Sequence, residues 1–429
     1  MKGNFRGLRT TFFIIAAVLV VAMGCSDDEV SGNDGELDAG TDDVAVEEDA
    51  PPSGEEDAST GEGDVDSQDD DADADPNAAQ GDVDEVSQED ASTDEDTGPQ
   101  DELHFGTCFD DPPDGVQLAP DPKPYSQGQC PELEAGFNIL EYEDPDCLGG
   151  QWNPMCDDDW EREFMLVVPE DLQADEHLPV IFLWHWLGGS AQRFYERGEI
   201  QKAVDTQRFL AVIPEEKGDL QFRWPYSREV EWNPDRIEEE AVFFDDVLAC
   251  ISEQYNVNNN CVASAGVSAG ALWTAQLMMR RGEYLSSFLS LSGGVGEDED
   301  GLSTETILPW IGSDKQVPGI VLWGGEDDWC IVDFHEASLR LEDALVEDGH
   351  FFVECIHNCE HSKPPMEAED GLSRFAGLWE FVFDHPYWVT GGTSPYQQQG
   401  LPDSTPDWCG IGPDGATIRE GECEPHSCQ

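Results

Sequence analysis

Gly266-Val267-Ser268-Ala269-Gly270 follows the apolar run Cys261-Val262-Ala263-Ser264-Ala265 and opens a helical stretch from Ala271 to Met279. A serine on so sharp a strand-to-helix turn has its hydroxyl held out at the top of a sheet, and glycines flank it because a Cβ would collide with the turn. The pattern therefore predicts a nucleophile elbow at Ser268.

The surrounding chain alternates short apolar runs with amphipathic stretches. Phe164 to Val168, Pro179 to Trp184, Phe209 to Ile213, Cys261 to Ala265, Phe288 to Leu291, Ile320 to Trp323 and Phe351 to Ile356 read as strands. Ile200 to Thr206, Ile237 to Gln254, Leu272 to Arg281, Phe334 to Glu347 and Leu372 to Phe383 read as helices. That alternation predicts an α/β fold: a mostly parallel sheet with helices on both faces, and ligands bound beyond the carboxyl ends of the strands, where Ser268 lies.

A serine hydroxyl becomes nucleophilic when a histidine takes its proton, and that imidazole needs a carboxylate to fix its tautomer. Trp323-Gly324-Gly325-Glu326-Asp327-Asp328 presents an acid at the tip of a glycine turn after an apolar strand. Asp327 is the expected acid, with Asp328 the alternative one residue on. The strand Phe351 to Ile356 leads into His357-Asn358-Cys359-Glu360-His361-Ser362, and His361, further into the loop, is favoured over His357. The order Ser, Asp, His follows the hydrolase order rather than that of chymotrypsin or subtilisin. Activity should rise with pH, because only neutral His361 accepts the proton of Ser268.

Attack on an ester carbonyl builds negative charge on its oxygen, which two backbone amides must already face. Ala269, at the start of the elbow helix, supplies one; Leu187, in the loop His185-Trp186-Leu187-Gly188-Gly189-Ser190 after an early strand, is the expected second. Among 13 tryptophans, Trp273 and Trp379 fall at core spacing, whereas Trp186, Trp224 or Trp329 could face a cleft.

From about residue 160 to 385 the chain resembles the esterase family that includes polyhydroxybutyrate depolymerases and feruloyl or acetylxylan esterases. The matching pieces are Arg162-Glu163-Phe164 leading to Pro169, His185 with Gly188-Gly189-Ser190-Ala191, Asp246-Val247 and Tyr255-Asn256-Val257. Gly266 to Gly270, Ser292-Gly293-Gly294, and His361 with Pro364 complete the series. The resemblance implies an α/β-hydrolase with Ser268, Asp327 and His361 as its triad, cleaving carboxylic esters without a cofactor. The chain departs from the family at Trp186, where a glycine usually follows the loop histidine, and at Trp323-Gly324, where a histidine-glycine pair usually leads to the acid. Val267 before the serine, in place of cysteine, argues against a tannase. A serine peptidase on the same fold and a non-catalytic surface-binding lipoprotein are the alternative readings.

The N-terminal region carries different information. Lys2, Arg6 and Arg9 precede an apolar run from Phe12 to Met23, too short for a span of roughly 20 residues and typical of a signal-peptide core. Gly24-Cys25 resembles a bacterial lipoprotein cleavage site, so residues 1–24 read as a signal peptide and Cys25 as a lipidated N-terminus that anchors an exported protein to a membrane. From Ser26 to Leu103 there is no Lys, Arg, Trp, Phe or Tyr. Such a segment cannot bury enough apolar surface to offset chain entropy, so residues 25–103 read as a disordered acidic linker. Asp64 to Asp75 lacks the turn glycine and closing glutamate of a calcium loop.

Residues 104–389 then read as the catalytic domain and 390–429 as a cysteine-containing extension packed on it. Across the chain, 95 Asp and Glu against 20 Lys and Arg give a net charge of -75, which repels phosphate backbones and excludes nucleic acid as a partner. The acidic excess also suits a saline medium. Setting Cys25 aside leaves an even number of cysteines, as a disulfide framework on an exported chain requires. Cys330 with Cys359, and Cys250 with Cys261, are the expected local pairs; Cys355, His357, Cys359 and His361 are not spaced to converge on a metal. A monomer acting on an ester substrate, polymeric esters included, is the resulting expectation.

Overall fold

The computed structural model describes residues 106–143, 159–232, 235–297, 306–389 and 392–423. The stretches expected to be a signal peptide and an acidic linker, Cys25 included, lie outside the described residues.

Among the described residues nine strands form one sheet: β1 (Gly136–Glu143), β2 (Asp159–Val167), β3 (Leu178–Trp184), β4 (Leu210–Pro214), β5 (Val257–Val267), β6 (Ser287–Leu291), β7 (Gly319–Trp323), β10 (Phe352–Ile356) and β11 (Cys409–Ile411). A separate two-stranded hairpin, β8 (Trp329–Cys330) and β9 (Val332–Asp333), follows β7. The spatial order is β1-β2-β4-β3-β5-β6-β7-β10-β11. The six strands from β4 to β10 run parallel, while β1, β2 and β11 pair antiparallel at the two edges.

Strands β3, β4 and β7 are apolar and buried along their whole length because both faces of the sheet are covered there. Alternate residues divide between two cores, as a period of two requires. Val180, Phe182, Trp184 and Val212 face one, which α3 (Asp235–Gln254), α4 (Ala269–Arg281) and α5 (Phe334–Glu347) close. Ile181, Leu183, Ala211 and Ile213 face the other, closed by α1 (Ala191–Arg197), α2 (Ile200–Gln207) and α6 (Ala376–Phe383). A short α7 (Tyr396–Gln399) precedes the last strand.

Each expected strand has a counterpart in the sheet. The last long helix begins at Ala376 rather than Leu372, because Ser373 makes a turn whose carbonyl accepts from the Ala376 amide at 3.1 Å. The Cys250–Cys261 pairing does not occur. Cys250 sits in the core beneath α3 and Cys261 in the core on the opposite face of the sheet, so the sheet itself separates them. Cys250 instead bonds Cys130 and Cys261 bonds Cys108, each drawing the segment before β1 onto the domain.

At the other edge, β11 zips onto β10 with Cys355 opposite Cys409, and these two are bridged. Beside them Glu354 on β10 accepts the Ala416 amide at 2.7 Å and lies against Glu342 of α5. Both glutamates are buried. Burial and the neighbouring Glu354 push the Glu342 carboxyl up to about 9. The stabilising contribution of the neutral acid is complete below the ordinary glutamate range and is lost as pH rises toward and through about 9. The melting temperature should therefore fall from pH 6 to pH 9, on the order of a few degrees, and Glu342→Gln should flatten that fall when melting is followed by circular dichroism.

Candidate active site

Ser268 joins β5 to α4 with φ 57° and ψ -120°, a backbone conformation that a non-glycine residue holds only when its surroundings enforce it. The enforcement is visible on both sides. A Cβ at Gly266 would strike the backbone of Gly270, and one at Gly270 would strike the Trp184 carbonyl at the end of β3. The Ser268 amide is tied to the Leu291 carbonyl at 2.9 Å.

His361 lies in the loop after β10, its Nε2 2.9 Å from Ser268 Oγ and its Nδ1 2.6 Å from Asp328 Oδ1. Its ring stacks on Phe334 with centroids 4.2 Å apart, which limits rotation about the side-chain bonds. A Cβ at Gly324 would meet the Glu360 carbonyl, so the acid turn and the histidine loop pack backbone to backbone.

The acid facing His361 is thus Asp328, and Asp327 is not brought to the site. Asp328 closes a turn on the Gly325 carbonyl at 3.1 Å just before the β8–β9 hairpin, which directs it inward while Asp327 stays exposed. Asp328 is fully buried, and its second oxygen accepts from Ser292 Oγ at 2.8 Å and the Gly324 amide at 2.7 Å. A carboxylate so held has one oxygen left for the imidazole. Ser292 belongs to the Ser292-Gly293-Gly294 motif, so its signal was present in the sequence without its role.

His357 is fully buried, its Nδ1 accepting from the Cys359 amide at 3.1 Å. Burial presses its pKa down to about 4, so it stays neutral and away from Ser268. The expected Cys330–Cys359 clamp is replaced by a different tie: Cys359 bonds Cys423, fastening the histidine loop to the C-terminal extension. Cys330 is itself disulfide-bonded.

Trp184 of β3 pairs with Gly266 of β5, which sets the His185–Ser190 loop beside the elbow. Ala269 is the first residue of α4, where a helix amide has no carbonyl within its own helix to bond. Leu187 is half-buried in the adjoining loop. Of the aromatic candidates, Trp224 is core: it is fully buried and donates to the His185 carbonyl at 2.8 Å. Trp186 is half-buried with the Arg197 guanidinium 5.1 Å from its ring, and Trp329 is 60 % exposed. Trp273 and Trp379 are buried.

No family model and no curated protein matches the sequence. Solved structures do match. Native sOPH is similar with a TM-score of 0.51 at 15% identity, over 68% of this chain and all of that one, at 100%. A ferulic acid esterase of Anaeromyces mucronatus is similar at 13% identity and a TM-score of 0.38, over 67% of this chain and 97% of that one.

The chain has the α/β-hydrolase fold. Within that fold the elbow, the turn after β7 and the loop after β10 meet at the carboxyl ends of the strands. Asp328→Asn should slow labelling of Ser268 by a fluorophosphonate on the order of 10⁴-fold by disturbing the imidazole tautomer. Asp327→Asn should leave the labelling rate within about twofold, as expected of an exposed surface substitution; intact-mass kinetics on the two variants would check both.

Proposed function

We propose that this protein is a serine hydrolase of carboxylic esters. The observation that carries the reading is the unbroken hydrogen-bonded path from buried Asp328 through His361 to Ser268 on a strained elbow. Ser268 Oγ attacks the ester carbonyl while His361 Nε2 takes its proton, and Asp328 stabilises the imidazolium. The amides of Ala269 and Leu187 face the oxyanion. Collapse of the tetrahedral intermediate expels the alcohol, which leaves with the proton from His361, and an acyl-serine remains. Water, deprotonated by the same histidine, then releases the acid and restores the hydroxyl.

The esterase resemblance favours phenolic, acetyl-polysaccharide or polyester substrates, for which exposed Trp329 and half-buried Trp186 offer flat apolar contacts. A fluorophosphonate probe should label the wild-type protein and not Ser268→Ala. Equal labelling of both would refute the nucleophile, and faster turnover of aminoacyl amides than of methyl ferulate, acetylated xylan or short acyl esters would refute the ester class.

The site would work outside the cytoplasm. Bridged Cys108, Cys130, Cys250 and Cys261 suit an oxidising compartment, and among the described residues no helix is long and apolar enough to cross a membrane. Anchoring is assigned to acylated Cys25. Palmitate labelling in a bacterial host should mark the wild-type chain and not Cys25→Ala; equal bands would end the lipoprotein reading.

A further inference from the structure

His185 and Glu215 form a titratable pair against the loop that carries Leu187, and neither belongs to the proposed triad. The His185 ring is fully buried beneath that loop. Its Nδ1 lies 2.9 Å from the Trp186 carbonyl, which can only accept, so Nδ1 carries a hydrogen. Its Nε2 has one polar neighbour, Oε2 of Glu215 at 3.5 Å, and makes no hydrogen bond of standard length. The other oxygen, Oε1, accepts the Ala191 amide at 2.7 Å. One carboxylate, placed just after β4, therefore touches both ends of the loop.

The loop is moulded on this pair. A Cβ at Gly189 would sit 2.8 Å from the Trp186 carbonyl and 3.1 Å from His185 Nδ1, so glycine is required for the chain to fold over the ring. The Gly189 amide closes the turn on the same carbonyl at 2.8 Å. Beneath, a Cβ at Gly270 would lie 2.8 Å from the His185 carbonyl, which ties the loop's start to the first turn of α4. A displacement of His185 would thus be passed to Leu187 on one side and to the residue after Ala269 on the other.

We infer that Glu215 is a positioning residue that, through His185 and the Ala191 amide, fixes the loop presenting the Leu187 amide toward the oxyanion. The inference rests on the esterase reading. The approach of Oε2 to Nε2 at 3.5 Å is a contact rather than a hydrogen bond; the hydrogen bond between the carboxylate and this segment is the one from the Ala191 amide. Arg162, whose guanidinium donates to the Glu215 carbonyl at 3.3 Å, and Glu163, whose carbonyl accepts the Glu215 amide at 2.8 Å, hold the backbone of Glu215 from the neighbouring strand.

The test is a comparison of Glu215→Ala with Glu215→Gln. Glutamine keeps an oxygen for Ala191 and offers an amide hydrogen to Nε2, so it should restore the loop; alanine offers neither. With kcat expressed per site titrated by a fluorophosphonate, alanine should lower kcat about 10²–10³-fold, the loss expected for one oxyanion donor, with KM changed less than about threefold. Glutamine should stay within about tenfold of wild type. Hydrogen exchange at residues 186–191 should quicken about tenfold with alanine and not with glutamine, whether or not the esterase reading stands. If Glu215→Ala does not fold, His185→Asn reads the same quantities. Unchanged kcat per site, or unchanged exchange, in the alanine or asparagine variant would overturn the inference, as would glutamine behaving like alanine. A wild-type protein that neither labels nor hydrolyses esters, yet shows the exchange pattern, would sink the esterase reading and leave the loop clamp standing.

Discussion

The close approach of β3, β5 and α4 around Ser268 is the constraint on which the site depends. A non-glycine residue at positive φ carries strain on the order of 1–3 kcal/mol, and the enclosing backbone leaves it no alternative. Gly266 and Gly270 allow the three segments to touch, and the hydrogen bond from the Ser268 amide to the Leu291 carbonyl fixes the depth of the serine. With the elbow set, the side chains that reach it come from the segments after β7 and β10, Asp328 through His361 to Ser268.

The chain's charge is distributed with the same economy. Few cations are available, and several are spent inside. Glu240 is buried between Arg162 at 2.5 Å and Arg236 at 2.7 Å, with Asp219 beyond at 3.0 Å. Burial alone would raise the Glu240 carboxyl, but the two guanidinium groups hold it below its ordinary value. Asp245 is similarly flanked by Lys123 and Arg281. Removing one member of such a group would strand a buried charge, which costs several kcal/mol. The surface is left to carboxylates, and the interior balance is set by arginines on β2, α3 and α4.

Much of this was legible in the sequence because period and punctuation carry the sheet: apolar runs bounded by glycine marked the strands, and Gly266 to Gly270 marked the strand-to-helix turn at Ser268. The acid was not resolved, since Asp327 and Asp328 are identical in chemistry and differ only in which way a turn on Gly325 points them. Pairing of cysteines was illegible for a related reason. Cys250 and Cys261 are close in sequence, yet a sheet lies between them, and only the three-dimensional faces of α3 and β5 tell that. The edge strands β1 and β11 escaped because β1 breaks the usual alternation, with polar Asn138 buried and apolar Phe137 and Ile139 exposed, and β11 spans only Cys409–Ile411.

The tie between Cys359 and Cys423, together with Arg419 donating its amide to Ile356 and a guanidinium hydrogen to Asn358 Oδ1, gives the chain a direction in time. Synthesis runs from the N-terminus, and Ser268, Asp328 and then His361 leave the ribosome in that order. The fastening for the base comes after all three, some sixty residues later in the sequence, at a separation of 64. A nascent chain can therefore complete its sheet from β1 to β10 while the histidine loop still lacks its anchor. The sheet can thus take its shape before the histidine loop is latched by the segment around Cys423.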